Sequence, residues 1–172
     1  GETYSREIML LGSSGFQSPE WYTIQAVVEL NSHTYASRKC YLEVVRGFEL
    51  LRKTAGIPGK KTVRTYILEY LHRKNIEDLY LRIEDEHSKL VYCIFNLGPI
   101  LRVRKPVMKF DESGNVHVLF QTIGMSFVHT AFTPFGIQLF SKSIVNRDRN
   151  VRLQILPNGR VTVKEEQSSG KE

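Results

Sequence analysis

Three short stretches in the last third of the chain constrain its fold more than anything else: Gly114-Asn-Val-His-Val, Gly136-Ile-Gln-Leu-Phe and Gly159-Arg-Val-Thr-Val. Each glycine follows turn-forming residues and opens a run of strand-forming ones, and the glycines stand 22 and 23 residues apart. Such an interval holds an out-and-back pair of strands, so residues 111–166 read as an antiparallel β-meander of about five strands. Pro157-Asn158-Gly159 is the strongest turn signal, because Asn and Gly accept positive φ at low cost. Val116, Val118 and Phe120 are expected on a buried face, as are Val151, Leu153 and Ile155, and then Val161 and Val163. The end of the chain is polar, and residues 167–172 are expected to be a disordered tail.

Upstream, no helical period appears either. Residues 3–11 form a mixed apolar run that ends at Gly12-Ser-Ser-Gly15, and Trp21–Leu30 alternates Tyr22, Ile24, Ala26, Val28 and Leu30 with more polar neighbours, the pattern of a half-buried strand. Lys39–Val45 repeats it with Cys40, Leu42 and Val44. Residues 47–56, followed by Pro58 and Gly59, read as a long loop. Val63–Leu71 and the clean alternation of Leu79, Leu81 and Ile83 read as strands, with a turn at Glu86-His87-Ser88. Lys89–Leu97 is apolar on both faces and reads as a central, doubly covered strand. Pro106 demotes Leu101–Phe110 to an edge or a connection, with a boundary near residue 103.

With 41% hydrophobic residues in 172, the chain has apolar matter for a packed core, which excludes a disordered class. Its longest apolar run, Val91–Leu101, is interrupted by Asn96, Gly98 and Pro99 and falls short of the roughly 20 residues that span a bilayer. The chain begins Gly-Glu-Thr without an initiator Met or an apolar leader, as expected of a chain whose signal peptide was removed or of a fragment. Cys40 and Cys93 permit one disulfide of the kind that pins two sheets of a sandwich, and equally suit two small buried hydrophobes.

The formal charge is +6, from 24 Lys and Arg against 18 Asp and Glu. A binding role for acidic glycan or single-stranded nucleic acid would use the basic groups Arg52, Lys53, Lys60, Lys61 and Arg64 together with Arg102, Arg104 and Lys105. The bland alternative is that they are solvated strand edges. Gly56-Ile-Pro-Gly59-Lys60-Lys61-Thr62 lacks the spacing of a phosphate-binding loop, and strand rather than helix follows it. Arg46-Gly-Phe48 is similar to the start of an RNA-stacking strand, but Glu49 stands where a small residue is needed.

No catalytic, cofactor-binding or metal-ligand set emerges. No Ser lies in a nucleophile elbow, and Asp78, Glu84, Asp85 and Glu86 sit on a solvent face and turn. His117 and His129 lie on neighbouring strands with Asp111 nearby. A hairpin turning about Gly124-Met125 sets His129 against Phe120 and His117 against Phe132, which sends the two imidazoles to opposite faces. Only an odd-length loop would reverse that parity.

Asn115-Val-His-Val-Leu-Phe-Gln121, with Ser126-Phe127 and Pro134-x-Gly136 behind it, resembles secreted cell-envelope proteins of verrucomicrobial bacteria that have an immunoglobulin-like fold and are encoded near type IV pilus genes. The resemblance implies a secreted or envelope-associated β-sandwich with a non-enzymatic structural or adhesive role, whose partners are other envelope or pilus proteins. It brings no catalytic residues. The expected architecture is all-β: an immunoglobulin-like sandwich over residues 1–104 and a meander over 105–166 that packs on or continues it.

Overall fold

The computed structural model describes residues 21–73, 75–124, 126–145 and 150–166. The mixed apolar run at 3–11, the Gly12-Ser-Ser-Gly15 stretch that ends it and the tail expected at 167–172 lie outside the described residues. Within them the chain is all-β, with fourteen strands, antiparallel pairing throughout and no helix. Among the described residues no helix is long and apolar enough to cross a membrane.

Contacts divide the chain into two compact units, residues 1–46 and 47–172. The division expected near residue 104 falls inside the second unit, because residues on both sides of it, Leu81 and Val118 among them, share one core.

In the first unit, β1 (Trp21–Ile24) pairs with β4 (Cys40–Glu43), and β2 (Val27–Leu30) with β3 (His33–Ala36). The two pairs are successive lengths of one long hairpin. Its tip is the two-residue turn Asn31-Ser32, with φ of 50° and 64°, the doubly positive conformation that matches strand twist. Ser37 joins the two lengths: its N–H donates to the Ala26 carbonyl (2.8 Å) and its Oγ accepts the Ala26 N–H (3.0 Å). The expected single strand over Trp21–Leu30 is thus two strands broken at Gln25-Ala26, and Val28 and Leu30 are exposed rather than half-buried.

In the second unit, β5 (Phe48–Gly56), β6 (Val63–Arg73), β7 (Ile76–Asp85) and β8 (Val91–Pro99) form one sheet in that order. Residues 48–56 are therefore a strand and not a loop. A register shift between Glu49 and Leu51 leaves Leu50 and Leu51 both half-buried and hides the alternation. β8 is an edge strand with Tyr92 and Ile94 exposed, which corrects its expected central place.

The second sheet has the order β12 (Gln138–Ile144), β11 (Phe127–Phe132), β10 (Val116–Gln121), β9 (Val107–Phe110), and β13 (Asn150–Ile155) and β14 (Val161–Glu166) form a separate hairpin. Pro106 immediately precedes β9, which is an edge strand as Pro demands. Val116, Val118, Phe120 and Phe132 face Tyr66, Leu68, Leu79, Leu81 and Ile83 of the first sheet in one core. From the opposite face Leu119 and Phe127 pack on Val151, Leu153, Val161 and Val163 of the hairpin. The doubly covered strand is consequently β10, every residue of which is buried. Ile155, expected inside, is exposed.

Within both four-stranded sheets the neighbours are consecutive in sequence. An immunoglobulin sandwich instead draws its sheets from interleaved parts of the chain through Greek-key connections.

The glycine recurrence has a common geometry. Asp111, Thr133 and Leu156 each accept at their carbonyl the N–H of the glycine three residues on (3.0, 3.0 and 2.9 Å), and each donates its own N–H to the carbonyl one residue further (3.1, 2.8 and 2.8 Å). Gly114, Gly136 and Gly159 take φ of 78°, 77° and 73°, the left-handed position of a type I turn closed by a bulge. The turns also interlock: a Cβ on Gly114 would lie 2.6 Å from Pro58 Cδ, and the Glu112 N–H donates to the Gly159 carbonyl (3.2 Å).

Candidate functional site

The face of the second sheet that carries the β13–β14 hairpin also carries two histidines. Thr122 donates its N–H to the Ser126 carbonyl (2.8 Å), and Gln121 pairs with Phe127. The β10–β11 loop thus holds an odd number of residues, with Gly124 at its middle in a left-handed conformation (φ 88°). The register shifts by one from the expected pairing: His117 faces Ala131 and His129 faces Leu119. Side-chain faces alternate with every residue, so this single step brings both imidazoles to the same side. The sequence-based parity is reversed by the loop length.

His117 Nδ1 and His129 Nε2 are 3.1 Å apart, and His117 Nε2 lies 3.2 Å from Asp111 Oδ2. Asp111 sits at the start of the first glycine turn, where its Oδ1 accepts the Asn115 backbone N–H (2.8 Å) and its Oδ2 accepts the Asn115 side-chain amide (2.9 Å). Burial pushes the Asp111 carboxyl up, but the Asn115 and His117 hydrogen bonds outweigh it and hold it below its ordinary value. An ionised carboxylate only accepts, so His117 donates from Nε2 to Asp111 Oδ2, which leaves its Nδ1 to share the second hydrogen bond with His129 Nε2. Burial, then the neighbouring His117 and Lys142 charges, push the His129 imidazole down to about 4. The row Asp111, His117, His129 is therefore a hydrogen-bonded chain that ends on a neutral ring. Phe140 packs edge-on against His129, with ring centroids 4.9 Å apart.

These groups line a cleft of about 570 Å³. Phe140, Lys142 and Ile144 of β12 form one wall, and Arg160 with Val161, Thr162 and Val163 form the other. His117 and His129 share one face of the sheet with Phe140 and Lys142, because β11 pairs with β10 on one side and with β12 on the other. Lys142 is the register partner of His129 and carries its ammonium 5.4 Å from the centre of the Phe140 ring. Among the described residues no group of three or more His, Cys, Asp and Glu is placed to hold a metal ion, since Asp111 and His129 bond opposite nitrogens of His117.

The basic groups named from sequence are not gathered into one patch. Arg52 pairs with Glu49 (2.7 Å) and Glu84 (3.3 Å), Lys53 donates to the Met108 carbonyl (2.9 Å), and Arg64 pairs with Asp85 (2.8 Å) while stacking on Tyr92. Arg102 pairs with Glu77 (2.5 Å) and stacks on Tyr70. Glu77 and Asp85 lie near opposite ends of β7, which separates Arg102 from Arg64 by roughly 26 Å of strand. Lys60 lies over Phe135 and Arg104 near Phe127, while Lys61 and Lys105 are exposed.

Cys40 is an exposed thiol of the first unit and Cys93 a half-buried thiol of the second. Burial pushes the Cys93 thiol up to about 11.

Sequence reasoning named Asp111, His117 and His129 but sent the two imidazoles to opposite faces, and it missed Phe140, Lys142 and Arg160. The signal for Arg160 was present: it follows the third recurring glycine, at the place Asn115 takes after the first. No protein-family model, no curated protein and no solved structure matches this chain.

Proposed function

We propose that this chain is a non-enzymatic interaction module of the bacterial cell envelope that docks on another protein through the hairpin of residues 21–43. One observation carries the reading. No described residue of that hairpin is buried, and Trp21, Val27, Val28, Leu30, Tyr35 and Tyr41 are all exposed. Apolar side chains gathered on this scale mark interaction surfaces, and a two-stranded ribbon is marginal in water without a partner. The secreted or envelope location and the connection to type IV pili are supported by the resemblance carried by residues 115–136. The packing of two antiparallel sheets on one core supports its sandwich part. Capture of acidic glycan or nucleic acid draws less support, because four of the eight basic side chains named for it already bond carboxylates or a carbonyl within the fold.

A photo-crosslinker placed at Tyr35 of the full chain, in cells that make it, tests the proposal. The expected result is a discrete adduct with an envelope protein that disappears when Val28→Glu and Leu30→Glu are combined. A cytoplasmic location, or saturable hydrolysis of a glycan or ester by the purified protein, would refute it.

A further inference from the structure

We propose that the cleft between β12 and β14 is a binding site for a small organic acid with an apolar body, whose carboxylate lies between Lys142 and Arg160 beside His129. The size fits such a ligand: about 570 Å³ lies within the range of small-molecule sites, which pair mostly apolar walls with a few convergent polar groups. From Leu139 to Ile144 the β12 wall runs five residue steps, roughly 17 Å of extended strand, long enough to hold an extended ten-carbon chain.

The charge of the ligand follows from which groups in the cleft are already satisfied. The one carboxylate, Asp111, is held by three hydrogen bonds from Asn115 and His117. Among the described residues neither Lys142 nor Arg160 has a carboxylate within ion-pairing distance. Among its described lining residues the cleft therefore presents two cations without an ion-pair partner against one carboxylate whose hydrogen bonds are already made, and a cation or a neutral molecule leaves that excess in place. An anion removes it. Charge-assisted hydrogen bonds to Lys and Arg are the stronger kind, and the walls beside them reduce screening by water.

The apolar part of the ligand has a matching surface. Phe140 is fixed by its edge contact with His129 and by the nearby His117 ring (5.9 Å), so it stands as a preset platform rather than a mobile side chain. Ile144, Val161 and Val163 continue this surface into the cluster formed with Leu119, Phe127 and Leu153. The relay from Asp111 gives His129 a defined role. It anchors the ring in place, and burial keeps a neutral imidazole on the cleft floor next to the acid instead of a third permanent cation. The charged and titratable groups that surround that ring in the cleft are His117, Asp111, Lys142 and Arg160.

The inference is independent of the hairpin reading and tests separately from it, because every probe and variant lies in the second unit. Decanoate, decanol and decyltrimethylammonium, each kept below micelle formation, are titrated into the full chain by calorimetry and by NMR of the backbone amides and histidine rings. Decanoate is expected to bind most tightly, decanol more weakly and the cation least. The resonances that move should be those of His117, His129, Phe140, Lys142 and Val161, and an anion beside His129 should raise its titration midpoint. Lys142→Gln and Arg160→Gln, both at exposed positions, should each weaken decanoate about tenfold and leave decanol unchanged. Equal affinity for the three probes, no saturable decanoate binding, or shifts that map outside the cleft would each overturn the proposal.

Discussion

Replacing His129 by Gln removes a buried titrating group while keeping an amide that can hydrogen-bond His117 Nδ1 as donor or acceptor, and its effect on acid stability follows from the site. An imidazole free in the unfolded chain takes up a proton near 6.5, whereas in the fold His129 does so only at about 4. Between these values the unfolded state holds the extra proton, so stability rises with pH across that window. The contribution is fully present above the unfolded value and is lost as pH falls through the folded one. At about 1.4 kcal/mol per unit, the drop from 6.5 to about 4 amounts to roughly 3 kcal/mol. Urea unfolding of the native protein and of His129→Gln, followed by far-UV circular dichroism from about pH 7 downward, isolates this term. Carboxylates that titrate nearby, such as Glu69, which burial raises, act alike in both proteins and cancel in the difference. The expected difference curve is flat above 6.5 and falls steadily toward 4. Parallel curves for the two proteins, or an NMR midpoint for His129 near 6.5, would show that the ring is not held neutral by its surroundings.

Other consequences are equally concrete. Gly114→Ala combines a left-handed backbone (φ 78°) with a clash at 2.6 Å against Pro58; it should lose 2 kcal/mol or more, against about 1 kcal/mol for Gly124→Ala, whose added Cβ meets nothing. Equal losses in urea unfolding would mean that the turns do not interlock. Phe132→Ala empties a fully buried site against Phe95 (4.4 Å between ring centroids) and should lower stability by about 3–5 kcal/mol with a clear fall in Tm. With an aromatic disulfide reagent at mildly alkaline pH, Cys40 should react at once and Cys93 slowly, because burial holds the Cys93 thiol protonated up to about 11. Two thiols reacting at one rate would contradict that.

The parts of the fold that could be read from sequence are those where local chemistry leaves one solution. The three recurring glycines require φ near 75°, and each indeed closes the same turn. Leu79, Leu81 and Ile83 alternate without interruption and are fully buried. What could not be read depends on counting across a bend. The imidazole pair turns on whether the β10–β11 loop is odd or even, and Gly124 allows either. The strand at 48–56 is masked by its own irregularity and by the glycines beside it. Tertiary coverage is equally hidden: Lys89–Leu97 and Val116–Gln121 look alike as apolar runs, but only the second has a layer on each side. The cleft joins residues from β10, β11, β12 and β14, and no spacing rule connects Lys142 to Arg160.

The consecutive order of the strands also bears on how the chain folds. In the second unit every paired strand is the sequence neighbour of its partner, so each pairing closes a short loop and loses little chain entropy before its first hydrogen bonds form. Low sequence separation between contacting residues goes with fast folding, and sandwiches with interleaved strands lie at the slow end of that scale. The hairpins of this unit are suited to form first, one after another, which leaves the docking of finished layers onto β10 as the slow step. Because β10 gains its second covering layer only when the β13–β14 hairpin arrives, its amides should be the last to acquire full protection from hydrogen exchange.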